Sequence, residues 1–205
     1  MGWWSERVVP RCADRTLSTP PVMRLRRQVC VGLAGRVLEI GFGSGLNVPH
    51  YPAGVTRVSA VEPSDVGWRL AARRVRESRV PVRRAGLDGQ RLPFADHSFD
   101  AALSTWTMCT IPDVETALRE LRRVLKPGAT LHFVEHGLAP DDKVRRTQHR
   151  MEPLNKRVFG GCHLTRPIVD LVRRAGFEIA ELDTFYEPGA PRFVAADSLG
   201  VAVSA

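Results

Sequence analysis

Three short stretches hold the residues best suited to chemistry. Val37-Leu38-Glu39-Ile40 is an apolar run that gives way to Gly41-Phe42-Gly43-Ser44-Gly45, with glycine at alternate positions. Glycine permits positive φ and removes the Cβ that would keep a ligand off the main chain. Further on, Val58-Ser59-Ala60-Val61 ends in Glu62, at the spacing of an acid that accepts hydrogen bonds from both hydroxyls of a ribose. The third stretch, Gly86-Leu87-Asp88-Gly89, sets a carboxylate for an exocyclic adenine amine beside an N–H that can face a ring nitrogen. Together they describe a nucleoside cradle. The dinucleotide pattern GxGxxG needs glycine where this chain has Leu46, which disfavours a pyrophosphate pocket.

Such a cradle needs strands whose carboxyl ends line up, because ligands bind there in open α/β sheets. From about residue 36, short apolar runs alternate with helical patterns, the mark of a parallel sheet with helices on both faces. Strands are expected at residues 36–40, 57–62, 80–84, 99–104, 130–135, 177–183 and 192–196. The fold class is therefore α/β, a Rossmann-like, doubly wound seven-stranded sheet. Residues 113–125 form the clearest helix: Asp113 caps it, Val114, Leu118, Leu121 and Leu125 recur at helical spacing, and Lys126-Pro127-Gly128 stops it. Residues 64–76 form another, although Gly67 weakens it. A basic helix over 141–151 should end near Pro153. Residues 1–35 read as a helical lead-in or lid belonging to the same domain as 36–205.

With 205 residues and 43% hydrophobic content, the chain can bury one sizeable core. No run of about 18 apolar residues occurs, and the opening MGWWSERVVPRC is charged where a signal peptide would be apolar. A cytoplasmic location is expected. Four widely spaced cysteines, with no CxxC pair, indicate reduced thiols. The net charge of +8 comes mostly from arginine. In the basic segment 143–157 only Phe159 lies near the charges, which opposes nucleic acid as a partner. Val144, Met151, Leu154 and Val158 would form the apolar side of that helix, packed on the domain in preference to a membrane surface.

The set VLEIGFGSGLN, VEPS, LDGQRLPFADHSFD and LRELRRVLKPGATLHFVEHG, in this order over roughly residues 35–137, resembles the class I S-adenosylmethionine-dependent methyltransferases. The resemblance implies S-adenosyl-L-methionine as cofactor and a seventh strand inserted antiparallel beside the fifth. It also implies that Glu39 and the loop of Gly41, Gly43 and Gly45 hold the methionine part, Glu62 the ribose, and Asp88 with Gly89 the adenine. Asn47, Pro63, Ser104 and Thr105 complete the expected cofactor contacts. TWTMCTI, VEHG and GGCHLTRP are similar to runs in the methyltransferase-like proteins that include thiol S-methyltransferases. Quinone and sterol C-methyltransferases share the LPF and RVLKPG stretches.

The expected activity is methyl transfer to a small or lipophilic acceptor, with a thiol first and a quinone-type ring second. Opposing readings are a nicotinamide oxidoreductase and a nucleoside-sensing module that transfers nothing. A thiol of pKa about 8.5 needs little help to become a nucleophile, whereas a hydroxyl or carbon acid needs a base. His136, just past the fifth strand, is the candidate base. Trp106, Cys109, His136 and His163 would wall the acceptor pocket, and Trp3 with Trp4 would belong to the lid. Cys162 and His163 are adjacent but lack two further ligands, so no metal is expected.

Overall fold

A computed structural model describes residues 4–204; Trp3 lies outside them. A π-helical turn, Trp4–Val8, leads into α1 (Val9–Thr16), α2 (Pro20–Val29) and β1 (Gly35–Ile40). There follow β2 (Val55–Val61), α3 (Asp65–Arg76), β3 (Val82–Gly86), β4 (Phe99–Thr105) and α4 (Val114–Val124). The chain then forms β5 (Leu125–His136), α5 (Asp142–Val158), α6 (Ile168–Arg174), β6 (Phe177–Tyr186) and β7 (Ala196–Ser204). The seven strands lie in the order β3-β2-β1-β4-β5-β7-β6, and β7 runs antiparallel to both its neighbours. The order reverses between β1 and β4, so their carboxyl ends flank the crevice where doubly wound sheets take ligands.

Local chemistry sets the helix starts. The Ser64 hydroxyl accepts from Gly67 N at 3.1 Å, and Asp113 accepts from Thr116 N at 2.9 Å, each satisfying a donor that the first helical turn leaves open. Val114, Ala117, Leu118, Leu121 and Val124 bury one face of α4 in a core shared with Leu38, Ile40, Leu131 and Phe133. On the other side of the sheet α2 contributes Val29, packed with Val37, Val58 and Leu103. Helix α2 is thus part of the core.

Two boundaries and one helix face are among the differences from the sequence expectation. The seventh strand is Ala196–Ser204 and not 192–196, where a turn closes Val194 N on Pro191 O at 2.9 Å. Its alanines, serines and Gly200 give a weak strand pattern because large neighbours leave no room: a Cβ on Gly200 would stand 2.7 Å from the Phe133 ring. The basic helix α5 continues through Pro153 to Val158. Its buried residues are Gln148 and Asn155, while Leu154 and Val158, assigned to an apolar side, are exposed. Gln148 explains this polarity, since it bonds Ala139 N, Gly137 O and Phe193 O at 2.9, 2.9 and 3.2 Å and so satisfies the buried backbone below α5.

Candidate cofactor and acceptor site

The three loop glycines have positive φ, +65° at Gly41, +57° at Gly43 and +74° at Gly45, but different surroundings. A Cβ on Gly41 would lie 2.0 Å from Thr107 Oγ1, and one on Gly45 would lie 3.2 Å from Ala71 and Phe42. Those two glycines let the loop close on its own protein. Gly43 is different, because its Cβ would meet nothing nearer than Gly41 O at 3.8 Å; its bareness serves the open space. Gly67 allows α3 to start close under the loop, since a Cβ there would stand 3.2 Å from Gly43 O.

Glu62, at the carboxyl end of β2, faces that loop. One carboxylate oxygen accepts from Gly43 N at 2.6 Å and the other from Ser64 N at 2.7 Å. Burial raises its pKa, opposed by those two N–H groups and by the charge of Arg84. Each oxygen retains a further lone pair. Glu62, Gly41, Gly43, Thr105, Trp106 and Thr107 line a hollow that α1 roofs with Val9, Pro10, Ala13, Asp14 and Leu17. Arg74 on α3 ties roof to floor, pairing with Asp14 at 3.0 Å and donating to Ser44 O at 2.9 Å.

Under the floor lies a closed polar cluster. Glu39, 1% exposed, accepts from Asn47 Nδ2 at 2.9 Å and from the Tyr51 hydroxyl. The Arg26 guanidinium donates to Asn47 Oδ1 at 2.8 Å and Thr105 Oγ1 at 2.9 Å, and stands 4.8 Å from the centre of the Trp106 ring. Burial pushes Glu39 up to about 7, against the pull of Tyr51, Asn47 and Arg26. The folded state therefore holds this proton to higher pH than the unfolded chain does. Its contribution to stability is complete below about 4.5 and is lost as pH rises through 7. Glu39→Gln is expected to flatten part of that decline, with the rest left to Glu135, likewise raised to about 7 by burial. Urea midpoints measured from pH 4.5 to about 8 check this; equal slopes in both chains would rule it out.

The structure gathers some expected residues and separates others. Gly41, Gly43, Glu62, Thr105 and Trp106 share the hollow, whereas Glu39 and Asn47 brace its floor. Ser104 turns to Glu135, Pro63 is exposed, and Asp88 sits on the surface with Oδ1 accepting from Gln90 N at 2.8 Å. Neither Asp88 nor Gly89 reaches the lining. Arg26, Tyr51 and Thr107 join the site without being expected there from the sequence. Arg26 lies in an arginine-rich helix and nothing local marks it as the buried one. Thr107 carried a faint signal, lying just beyond a strand end.

The far side of β4 and β5 is equally built. Glu135, fully buried, accepts from Ser104 Oγ at 2.7 Å, Thr107 N at 2.8 Å and Met108 N at 3.0 Å. These bonds hold Trp106 in a left-handed conformation, φ +48°, a strain that persists only where the surroundings enforce it. His136 Nε2 lies 2.9 Å from Cys162 Sγ, which is 3.6 Å from Cys109 Sγ. His163 turns instead to Glu152, with Nδ1 at 2.8 Å.

A family profile described as a methyltransferase domain matches residues 38–133. The thiol S-methyltransferase TMT1A of Homo sapiens is 31% identical over 169 residues, 78% of this chain and 68% of that protein. The chain belongs to the S-adenosylmethionine-dependent methyltransferases. The rat thiol S-methyltransferase TMT1B is 32% identical over 72% of this chain and 62% of its own length. This methyltransferase chain thus spans about two thirds of these relatives. Among solved structures, a SAM-dependent methyltransferase of Thermotoga maritima, described as a possible histamine N-methyltransferase, has a TM-score of 0.71 and 25% identity, each chain covered over 100%.

S-adenosylmethionine, the cofactor of this family, passes a test of fit. The Gly43 main chain is uncovered where the Glu62 carboxylate, with lone pairs to spare, faces the hollow. A diol beside that carboxylate and a flat or zwitterionic group against that main chain are what such a methyltransferase must hold.

Proposed function

We propose that the chain binds S-adenosylmethionine between the glycine loop, Glu62 and the roof helix α1, and transfers its methyl group to a small thiol. The observation that carries this is the half-buried Gly43 main chain, bonded to Glu62 and facing the hollow. The thiol S-methyltransferases among the relatives support the acceptor. When bound, the cofactor supplies a methyl already activated on a positively charged sulfur. The chain's own work is to bind, orient and exclude water, and alignment of two reactants can contribute on the order of 7–11 kcal/mol. Glu62 fixes the ribose end, α1 closes over it, and Trp106 walls the acceptor side. The half-buried Arg166 guanidinium, bonded to Met108 O and Pro112 O, supplies positive potential that favours a thiolate.

Calorimetry with S-adenosylmethionine, its demethylated product and NAD tests the cofactor, and labelled methyl transfer to a panel of thiols, quinones, phenols and RNA tests the acceptor. Tight NAD binding without response to the sulfonium compound would overturn the assignment. Binding with no transfer to any acceptor would favour a sensing module, and transfer to quinones alone a ring methyltransferase. Removal of residues 1–18, which takes away α1 but leaves α2, is expected to weaken cofactor binding about tenfold; unchanged affinity would dismiss the lid.

A further inference from the structure

Cys109, His136 and Cys162 come from three separate places, the loop after β4, the last residue of β5 and the loop between α5 and α6. Their donor atoms nevertheless all lie within 4.8 Å of one another. We propose that these three side chains form a binding site for a soft divalent metal ion, zinc being the one that two thiolates and an imidazole suit. Adjacent Cys162 and His163 alone suggest no metal; folding brings His136 in place of His163 and adds Cys109.

The spacing fits the ion. Tetrahedral zinc with bonds of about 2.3 Å to sulfur sets its two sulfurs about 3.8 Å apart, and Cys109 and Cys162 are 3.6 Å apart. The imidazole nitrogen, 2.9 Å from Cys162 Sγ, must withdraw by roughly 0.6 Å to reach the about 3.5 Å that such a site requires, a small side-chain rotation. Two thiolates and a neutral imidazole select zinc over magnesium, calcium or manganese, which take oxygen donors. Both thiols release their protons to solvent as the ion binds. Three protein ligands leave a fourth position for water or an incoming ligand.

A second observation is independent of the donors. Among the described residues, His136 Nδ1 is buried without a hydrogen-bond partner, and so are both carboxylate oxygens of Asp197, beyond a weak approach from the Trp106 indole. Buried polar atoms are seldom left this way. His136 and Asp197 are direct cross-strand partners in the β5–β7 pair, so their side chains emerge on the same face of the sheet. A metal-binding histidine commonly donates its second N–H to a carboxylate, and Asp197 stands where that partner is needed. The backbone braces the thiol loops as well, Cys162 O accepting from Asn155 Nδ2 at 2.8 Å and Cys109 O from His163 N at 2.9 Å.

The test uses the full chain, reduced with a phosphine and stripped of metal, titrated with cobalt(II) and then zinc. The expected result is one cobalt per chain, with a thiolate-to-cobalt charge-transfer band and the intense visible bands of a tetrahedral site, both erased by one equivalent of zinc. Cys109→Ser, Cys162→Ser and His136→Ala should each lose the bands while keeping the far-ultraviolet circular dichroism of the parent. Asp197→Asn should retain them with roughly ten- to a hundredfold weaker affinity, and Cys30→Ser should leave them unchanged. Absence of thiolate-to-cobalt absorption in the reduced parent chain would overturn the site, as would bands that survive the Cys109 and Cys162 substitutions. Cofactor calorimetry on the same samples reads the methyl-donor assignment separately, so failure of one is distinct from failure of the other.

Discussion

Gly41→Ala is expected to lose about 3–5 kcal/mol of folding stability, a large part of the roughly 5–15 kcal/mol typical of a domain. Two costs add. At φ +65° an L-residue is strained by roughly 1–2 kcal/mol. The new methyl would then sit 2.0 Å from Thr107 Oγ1, 2.2 Å from Cγ2 and 2.6 Å from Cβ, an overlap no rotation of Thr107 relieves. Nor can the backbone retreat, because Thr107 N is pinned to buried Glu135 at 2.8 Å. Overpacking of this kind costs about 1–3 kcal/mol or more. Gly43→Ala is the internal control: φ is +57° but the space is open, so it should lose only the conformational part while abolishing tight cofactor binding. Melting temperatures separate them, with a drop of roughly 10–15 °C for Gly41→Ala and about a third of that for Gly43→Ala. Equal drops would mean that Thr107 does not close on the loop.

The contrast between those two glycines marks how far the sequence could be read. Alternating apolar and helical patterns point to the sheet, and Gly41, Gly43 and Glu62 point to the hollow at the ends of β1 and β2. Which glycine borders open space and which closes on Thr107 depends on a contact across 66 residues, which no local pattern encodes. The same holds for Arg26, one of many arginines, selected for burial only by the Asn47 and Thr105 oxygens that fold around it. β7 was displaced because its residues are small for a tertiary reason, the Phe133 ring lying against Gly200. Asp88 shows the converse. Its position after β3 is the expected one, yet the side chain bonds its own neighbour Gln90, and Gln90 Oε1 in turn accepts from Asp113 N at 2.8 Å, linking that loop to the start of α4.

Glu62→Ala is expected to weaken S-adenosylmethionine binding by at least about a hundredfold. The carboxylate is 5% exposed; it holds Gly43 N and Ser64 N, and in the proposed function its remaining lone pairs go to the ribose. Hydrogen bonds to a charged group are worth about 1.5–3 kcal/mol each, and a tenfold change in affinity is about 1.4 kcal/mol, so losing the ribose contacts alone accounts for two decades. Glu62→Gln is milder: one oxygen still accepts, the other position becomes a donor facing one of the two backbone N–H groups, and the loss should fall near tenfold. The pH dependence adds a sign. Burial raises the Glu62 pKa, so the parent chain should lose affinity on acidification earlier than an ordinary carboxylate would, as protonation turns an acceptor into a donor. The Glu62→Gln variant lacks that proton site and should show a flatter profile. Calorimetry at several pH values reads all three chains. If Glu62→Ala binds S-adenosylmethionine as tightly as the parent, the carboxylate only braces the loop, and the ribose must be held elsewhere.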